Sequence, residues 1–217
     1  MLLYYMDVSG LDLNKIPGYV SKARIKKASK YFHEKDRSLS IGAEMLLNYV
    51  LSEIDIYGPV FDTDKYGKPY LKNYSDVYFN LSHSQKYVAC AVSDSPVGVD
   101  IEHVTDIDLN LAKQFFYGAE YEYILNNNDQ MKAFFELWVL KESYMKMTGL
   151  GFRLALDEFC IEISDEITLI SGGCTCEFGL WNVCEGDYMI GVCSQNSVKE
   201  PILVNLSDIE EYVKCGV

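Results

Sequence analysis

Hydrophobic positions along the chain follow two periods, one typical of helices and one typical of strands. Apolar residues at helical spacing predict helices over residues 19–33, 36–54, 109–125 and 130–148, the last ended by Gly149. Short β-rich runs predict strands at residues 2–8, 77–81, 87–92 and 97–102, and further strands between residues 159 and 193. The order strand, helices, strands therefore occurs twice.

Polar segments punctuate this order. The segment K-Y-G-K-P-Y at residues 65–70 predicts a turn stiffened by Pro69, and S-H-S-Q-K at residues 82–86 predicts the polar tip of a hairpin. The best junction is S-D-S-P-V-G at residues 93–98. We therefore expect an α+β fold with two similar halves, residues 1–97 and 98–217.

Composition restricts the class of protein. The chain has 217 residues, 49% of them hydrophobic, which is enough to form a buried core. The sequence contains no run of 18 apolar residues and no signal-peptide pattern, so we expect neither membrane spanning nor export. Seven cysteines, an odd number without paired C-x-x-C clusters, predict reduced thiols in a cytoplasmic protein.

Charge is distributed unevenly. The net charge of −13 argues against non-specific nucleic-acid binding, which requires a basic surface. Residues 22–30 nevertheless read K-A-R-I-K-K-A-S-K and concentrate cations that include Arg24 and Lys27. The segment is either a solvated helix face or a patch that binds one small anionic phosphate ligand.

The segment W-V-L-K-E-S-Y-M-K at residues 138–146 places Trp138, Glu142 and Lys146 on one helix face, with Lys141 beside it. Alone, this spacing fits an ordinary surface ion pair. Strand periodicity in V-G-V-D-I-E at residues 97–102 puts Asp100 and Glu102 on one face. Those carboxylates either bind Mg²⁺ or form the solvent-facing edge of a strand.

Two further segments carry polar candidates. Ser82 and His83 follow an apolar strand in F-N-L-S-H-S; phosphate binding is favoured over a Ser-His nucleophile pair, because the sequence has no G-x-S-x-G elbow. Lys68 lies in the predicted turn and is either a phosphate contact or an exposed lysine. His33 and His103 receive no role.

These segments together resemble the 4'-phosphopantetheinyl transferases, specifically the long, surfactin-synthetase-activating (Sfp-like) type. The motifs are G-K-P at residues 67–69, F-N-L-S-H-S at 79–84, G-V-D-I-E at 98–102 and the Trp-to-Lys helix followed by G-L-G at 149–151. The resemblance implies a pseudo-twofold fold with the site between its halves, in a chain that works as a monomer.

The resemblance also implies an activity. Members of the family are holo-[acyl-carrier-protein] synthases, which transfer phosphopantetheine from coenzyme A to a serine of an apo carrier protein and release 3',5'-ADP. The implied metal ligands for Mg²⁺ are Asp100, Glu102 and Glu142. The implied coenzyme A contacts are Arg24, Lys27, Arg37, Lys68, Ser82, His83, Lys141 and Lys146, of which His83 and Lys146, with Glu142, are the catalytic candidates.

Several alternatives stay open at this point. Glu142 is either the base that takes the serine proton or chiefly a metal ligand, which is our hypothesis. Residues 107–116 either contact the carrier protein or pack in the core. A Mg²⁺-dependent nucleotide pyrophosphate hydrolase and a non-catalytic coenzyme A-binding module are the alternative functions, and the carrier's pathway, fatty-acid, polyketide or nonribosomal-peptide, is not specified by the sequence.

Overall fold

The computed structural model describes residues 1–15 and 20–214. The helices in this part of the chain are α1 (Lys22–Ala28), α2 (Glu34–Ser52), α3 (Asn110–Phe115), α4 (Gly118–Asn126), α5 (Gln130–Thr148) and α6 (Leu206–Lys214). The strands are β1 (Leu2–Asp7), β2 (Phe61–Thr63), β3 (Pro69–Leu71), β4 (Tyr78–Ser84), β5 (Tyr87–Ser93), β6 (Val97–His103), β7 (Cys160–Ile163), β8 (Ile167–Ser171), β9 (Glu177–Val183), β10 (Tyr188–Ser194) and β11 (Ile202–Leu203).

A four-stranded sheet has the order β11-β1-β5-β4, with β1 parallel to β11 and antiparallel to β5. Alternation of side chains gives this sheet two apolar faces. Tyr4 and Met6 of β1 pack into the core that contains α2, whereas Leu3 and Tyr5 face the opposite way, toward a second sheet. The first sheet therefore lies between α2 and the second sheet.

The second sheet has the order β6-β10-β9 and is antiparallel throughout. Val97, Val99 and Ile101 of β6 pack against the first sheet. The other face of the second sheet carries two glycines, Gly98 and Gly191, at which an added Cβ would overlap or crowd the backbone of α5. Helix α5 consequently lies directly on this sheet, close enough for its side chains to reach β6.

Strands β4 and β6 belong to different sheets but are joined by side chains. Asn80 Oδ1 accepts a hydrogen bond from Val99 N at 2.9 Å, and Ser82 Oγ donates to Asp100 Oδ1 at 2.7 Å. Ser84 Oγ donates to Glu102 Oε2 at 2.7 Å and accepts a hydrogen bond from His103 N at 3.1 Å. We call this row of contacts the β4–β6 seam.

The mixed α/β composition predicted from the sequence is confirmed, but several element boundaries differ. The helix expected over residues 19–33 is the short α1, which begins after the Ser21 cap; Tyr19 lies outside the described residues. The helix expected over 109–125 is two helices, because Phe116 is extended and Glu120 caps the backbone nitrogen of Tyr117.

The polar segment 82–86 also differs from the expected hairpin tip. Ser82, His83 and Ser84 continue β4, and the turn is formed by residues 85 and 86, with Gln85 at φ 51°. In the part of the chain that the structure covers, no helix is long and apolar enough to cross a membrane.

The contact between β6 and α5 gives a stability prediction. In Gly98→Ala the new Cβ would overlap the backbone oxygen of Ser143 and lie 2.5 Å from the backbone nitrogen of Met147. We expect urea denaturation to show a loss of at least about 2 kcal/mol in the free energy of unfolding. Gly118→Ala, where the Cβ meets nothing within 4 Å, is the control. Equal stability of both variants would contradict the close packing of α5.

Candidate active site

Helix α5 carries three of the candidate side chains. The helix begins after Asp129, whose carboxylate caps Lys132 N, and ends at Gly149, which has the left-handed φ of 73°. Trp138 stacks on Phe134 with an interplanar angle of 18°. Because Glu142 and Lys146 follow at intervals of four residues, all three side chains share one helix face, which this aromatic stack anchors.

That face borders a cavity of about 340 Å³ between α5, β4 and β6. The cavity is lined by Leu81, Ser82, His83, Asp100, Glu102, Trp138, Glu142 and Lys146. The fold thus brings together three carboxylates, one ammonium group, one imidazole and one hydroxyl. We call this space the carboxylate cavity.

Asp100 is the centre of the polar contacts in the carboxylate cavity. Its Oδ1 atom accepts hydrogen bonds from Lys146 Nζ at 2.6 Å and from Ser82 Oγ at 2.7 Å. Lys146 Nζ also donates to Ser82 Oγ at 3.0 Å and to Val99 O at 3.2 Å. Asp100 is only 3% exposed, and its second oxygen, Oδ2, is buried without a hydrogen-bond partner. That oxygen is available to a cation.

The two glutamates beside Asp100 have raised pKa values. Burial, and then the negative charge of Asp100, raise the pKa of Glu102 to about 7. The same two causes, in the same order, raise the pKa of Glu142. Lys146 acts against both shifts but does not cancel them. Negative charge therefore accumulates in this cavity, and a bound cation would relieve it.

The donor set fits Mg²⁺ in chemistry. No group of three His, Cys, Asp or Glu side chains within residues 1–15 and 20–214 forms a compact metal site. Mg²⁺ does not require one, since it usually takes one or two protein carboxylates and fills its octahedron with water and phosphate oxygens. The orphaned Oδ2 of Asp100 and the carboxylates of Glu102 and Glu142 supply hard oxygen donors around one cavity.

A second cavity, of about 260 Å³, adjoins the first. Both are lined by Leu81 and His83, and the second also contains Arg24 and Lys27 of α1. A third cavity, of about 430 Å³, shares Arg24 and Lys27 with the second. The result is a groove that runs from the basic residues of α1 to the carboxylate cavity. Partial desolvation in the groove lowers the pKa of His83, which favours its neutral imidazole.

Two residues expected to contact the ligand donate hydrogen bonds to backbone carbonyls in the structure. Arg37 donates from Nε to Tyr31 O at 2.9 Å and is not among the residues that line these cavities. Lys68 Nζ donates to the carbonyls of Lys146 at 2.6 Å and Met147 at 3.1 Å, at the end of α5. Burial lowers the pKa of Lys68 to about 8. Lys68 thus ties the β2–β3 hairpin to α5.

Lys141 requires a correction. It is 0% exposed, and its Nζ atom donates to both oxygens of Glu120, at 2.6 and 2.7 Å, and to Phe159 O at 2.8 Å. A ligand in the groove cannot reach this ammonium group, so the expected coenzyme A contact is replaced by a structural ion pair. Successive helix residues lie about 100° apart, so Lys141 points into the core while Glu142 faces the cavity.

Sequence reasoning missed three residues that support the site. Ser84 bonds Glu102 across the seam, Glu120 neutralises Lys141, and Glu44 binds Arg24 Nε at 2.8 Å. Glu44 and Glu120 are glutamates within helices, and nothing in the sequence around either residue indicates that its side chain is buried. Their partners lie 20 and 21 residues away in the sequence, which no local pattern reveals.

Comparisons with known proteins show which family the chain is similar to. A family model described as the 4'-phosphopantetheinyl transferase superfamily matches residues 96–193. The 4'-phosphopantetheinyl transferase Sfp of Bacillus subtilis is 31% identical, over 88% of this chain and 89% of its own length. The 4'-phosphopantetheinyl transferase gsp of Aneurinibacillus migulanus is 36% identical, over 72% and 68%. HetI of Nostoc, also named a 4'-phosphopantetheinyl transferase, is 34% identical over 67% and 66%.

The buried ion pair gives a second stability prediction. Lys141→Met leaves the carboxylate of Glu120 buried without its cation, and we expect a loss of about 3–5 kcal/mol in the free energy of unfolding. Chemical denaturation measures it. The control is Lys132→Met on the same helix, whose ammonium lies 3.9 Å from Glu136 and is 45% exposed; it should cost less than about 1 kcal/mol. A small effect at Lys141 would contradict its structural role.

Proposed function

The chain belongs to the 4'-phosphopantetheinyl transferases, and we propose that it transfers the 4'-phosphopantetheine group of coenzyme A to a serine of an apo carrier protein, releasing 3',5'-ADP. The observation that supports this proposal is a groove with cations at both ends and a group of three carboxylates beside Lys146 at one of them. Coenzyme A has phosphate at two separate points, the 3'-position and the pyrophosphate bridge. Arg24 and Lys27 suit the first point, and the carboxylate cavity with Lys146 suits the second.

The groove also supports the expected division of the chain. We propose that residues 1–97 and 98–217 contribute two halves related by a pseudo-twofold axis, with the site at their interface; β11, from the second range, crosses over and pairs with β1 in the first sheet. In support, each of the two larger sheets packs on one long helix, α2 or α5, and the carboxylate cavity is lined from both sides of the β4–β6 seam. From the resemblance to the long, Sfp-like type, we propose that the protein works as a monomer.

The carboxylates define where Mg²⁺ would bind. We propose that Asp100, Glu102 and Glu142 hold the ion. When bound, it would neutralise the pyrophosphate and the charge that develops on the leaving group. The raised pKa values of both glutamates support this assignment, because burial and the charge of Asp100 penalise their ionised forms, which a bound cation would stabilise.

The protein's own residues supply positioning and charge. The carrier serine oxygen attacks the phosphorus that bears pantetheine, and the bond from that phosphorus to the bridging oxygen breaks. The serine proton passes to Glu142 or, if Glu142 is chiefly a ligand, to water. Lys146, fixed by Asp100 and Ser82, would place its positive charge beside the pyrophosphate oxygens as 3',5'-ADP departs. Neutral His83 would donate a hydrogen bond to phosphate where the two cavities adjoin. Such fixed donors need no reorganisation during the reaction.

The six cysteines in the described ranges are free thiols; Cys215 lies outside those ranges. Free thiols are typical of reducing compartments, which supports our proposal that the protein works in the cytoplasm.

Mass spectrometry tests the transfer directly. The protein is mixed with coenzyme A, Mg²⁺ and an apo carrier protein, and the intact carrier is weighed. We expect a phosphopantetheine adduct on one carrier serine together with free 3',5'-ADP. Nucleotide cleavage without an adduct would identify a pyrophosphate hydrolase, and neither product would identify a non-catalytic coenzyme A-binding module.

The Glu142→Gln variant in the same assay separates the two roles of this carboxylate. If Glu142 is chiefly a ligand, the variant needs a higher Mg²⁺ concentration for half-maximal rate and recovers turnover at saturating Mg²⁺. Unchanged Mg²⁺ affinity with a turnover reduced by about 100-fold or more would instead make Glu142 the base. Glu162→Gln, at an exposed carboxylate of β7, is the matched control.

We propose that α3 contacts the carrier protein. Leu111 and Phe115 are 44% and 48% exposed on this helix, whereas Ala112 and Phe116 are buried. The segment 107–116 therefore contributes to the core and also presents an apolar surface beside exposed Lys113. Carrier proteins are usually acidic, so a local apolar and basic patch offsets the repulsion expected from a net charge of −13.

This surface gives a kinetic prediction. Leu111→Glu adds a charge at the apolar patch and should raise the KM for the carrier at least about fivefold, while the KM for coenzyme A stays unchanged. Steady-state kinetics with each substrate varied in turn measures both. Ile170→Glu, which is 60% exposed on β8, is the control. An unchanged KM for the carrier in Leu111→Glu would exclude α3 from docking.

A further inference from the structure

A buried carboxylate lies beside the basic end of the groove. Glu44 of α2 is 2% exposed and lines the third cavity together with Arg24 and Lys27. Its Oε1 atom accepts a hydrogen bond from Ser21 N at 2.6 Å, and its Oε2 atom accepts one from Arg24 Nε at 2.8 Å. One carboxylate therefore holds both the start of α1 and the arginine in its first turn.

A carboxylate at the position of Glu44 is unfavourable for anion binding unless it pairs with a cation and orients it. A buried negative charge next to a phosphate site repels the phosphate, and burying the carboxylate itself costs free energy without a partner. Arg24 supplies that partner. The protein thus keeps a buried ion pair between Glu44 and Arg24 at the basic end of the groove, where a phosphate ligand requires a positive group.

The geometry of the ion pair determines how Arg24 is presented. A guanidinium group is planar and has five N–H donors in a fixed arrangement. Glu44 engages Nε, and Ser40 Oγ lies 3.4 Å from Nη1, so two neighbours on α2 define the plane of the group. The remaining donors of Arg24 are then oriented without further loss of side-chain entropy when a phosphate binds.

We infer that Glu44 is a positioning residue, which orients Arg24 so that the enzyme selects coenzyme A over a donor that lacks the 3'-phosphate. This inference rests on the proposed function for the identity of the ligand. Glu44 does not touch the reacting atoms; it acts through Arg24. A merely structural role, in which Glu44 only fixes α1 to α2, would affect both donors equally.

Kinetics with two donors distinguishes these roles. Glutamine at position 44 keeps the size of the side chain but replaces one acceptor oxygen with an amide, so it cannot accept both hydrogen bonds. For Glu44→Gln we expect the KM for coenzyme A to rise about fivefold to tenfold, with kcat unchanged. The KM for dephospho-coenzyme A should stay within about twofold. The control is Glu53→Gln, which removes an exposed carboxylate at the other end of α2.

A double-mutant cycle separates positioning from folding. Arg24→Lys removes the Nε donor, so adding Glu44→Gln to it should produce no further rise in the KM for coenzyme A. Additive effects would show that Glu44 acts independently of Arg24 and would overturn the inference. An equal rise of KM for both donors in the single variant would also overturn it. Thermal unfolding of each variant identifies any that fails to fold. If Glu44→Gln does not fold, Arg24→Lys is the test, because it leaves Glu44 and its contact with Ser21 in place. Arg24→Lys must then lower the preference for coenzyme A over dephospho-coenzyme A.

Calorimetric binding of 3',5'-ADP and of adenosine 5'-monophosphate makes the test independent of catalysis. Glu44→Gln should weaken 3',5'-ADP about fivefold to tenfold and leave the monophosphate unchanged. If the wild-type protein modifies no carrier but Glu44→Gln selectively weakens the binding of 3',5'-ADP, the proposed transfer fails and the role of Glu44 stands. If the carrier is modified and the variant binds both nucleotides as the wild type does, the role of Glu44 fails and the transfer stands.

Discussion

The site depends on the side-chain seam between β4 and β6. These strands belong to two different sheets, and polar side chains of β4 form the contacts that join them. The serine hydroxyls at positions 82 and 84 bind the carboxylates of Asp100 and Glu102 directly. The apolar core packs the two sheets together, and these hydrogen bonds then fix the carboxylates where the sheets meet. The placement of the acidic side chains therefore follows from how the sheets pack.

Electrostatic balance differs between the front and the back of α5. On the cavity side, Lys146 is the ammonium that faces three carboxylates, and both glutamates keep raised pKa values. On the core side, Lys141 is matched by Glu120 and by a backbone carbonyl. The core side is neutralised and rigid, while the cavity side keeps an excess of negative charge that favours a cation. One helix thus combines a satisfied structural pair with an unsatisfied group of ligands.

Local patterns predict what local physics determines. Helix α5 was predictable because it is long, periodic and ended by Gly149, and the shared face of Asp100 and Glu102 follows from strand alternation. Resemblance to a family added roles for His83 and Lys146, which the fold brings into one cavity. The burial of Lys141 was not predictable, because its neighbour one position along faces the cavity and its partner is distant in sequence. The length of α1 and the break at Phe116 depend on capping and tertiary contacts that periodicity does not report.

A crystal structure with coenzyme A and Mn²⁺ in place of Mg²⁺ tests whether the carboxylate cavity binds the metal, because anomalous scattering locates the metal without reference to any expected ligand. We expect an anomalous peak bounded by Asp100, Glu102 and Glu142, with the pyrophosphate between that peak and Lys146 and the 3'-phosphate beside Arg24 and Lys27. A peak away from these carboxylates would rule out the proposed metal site. A coenzyme A bound with its 3'-phosphate in the carboxylate cavity would rule out the proposed orientation of the ligand.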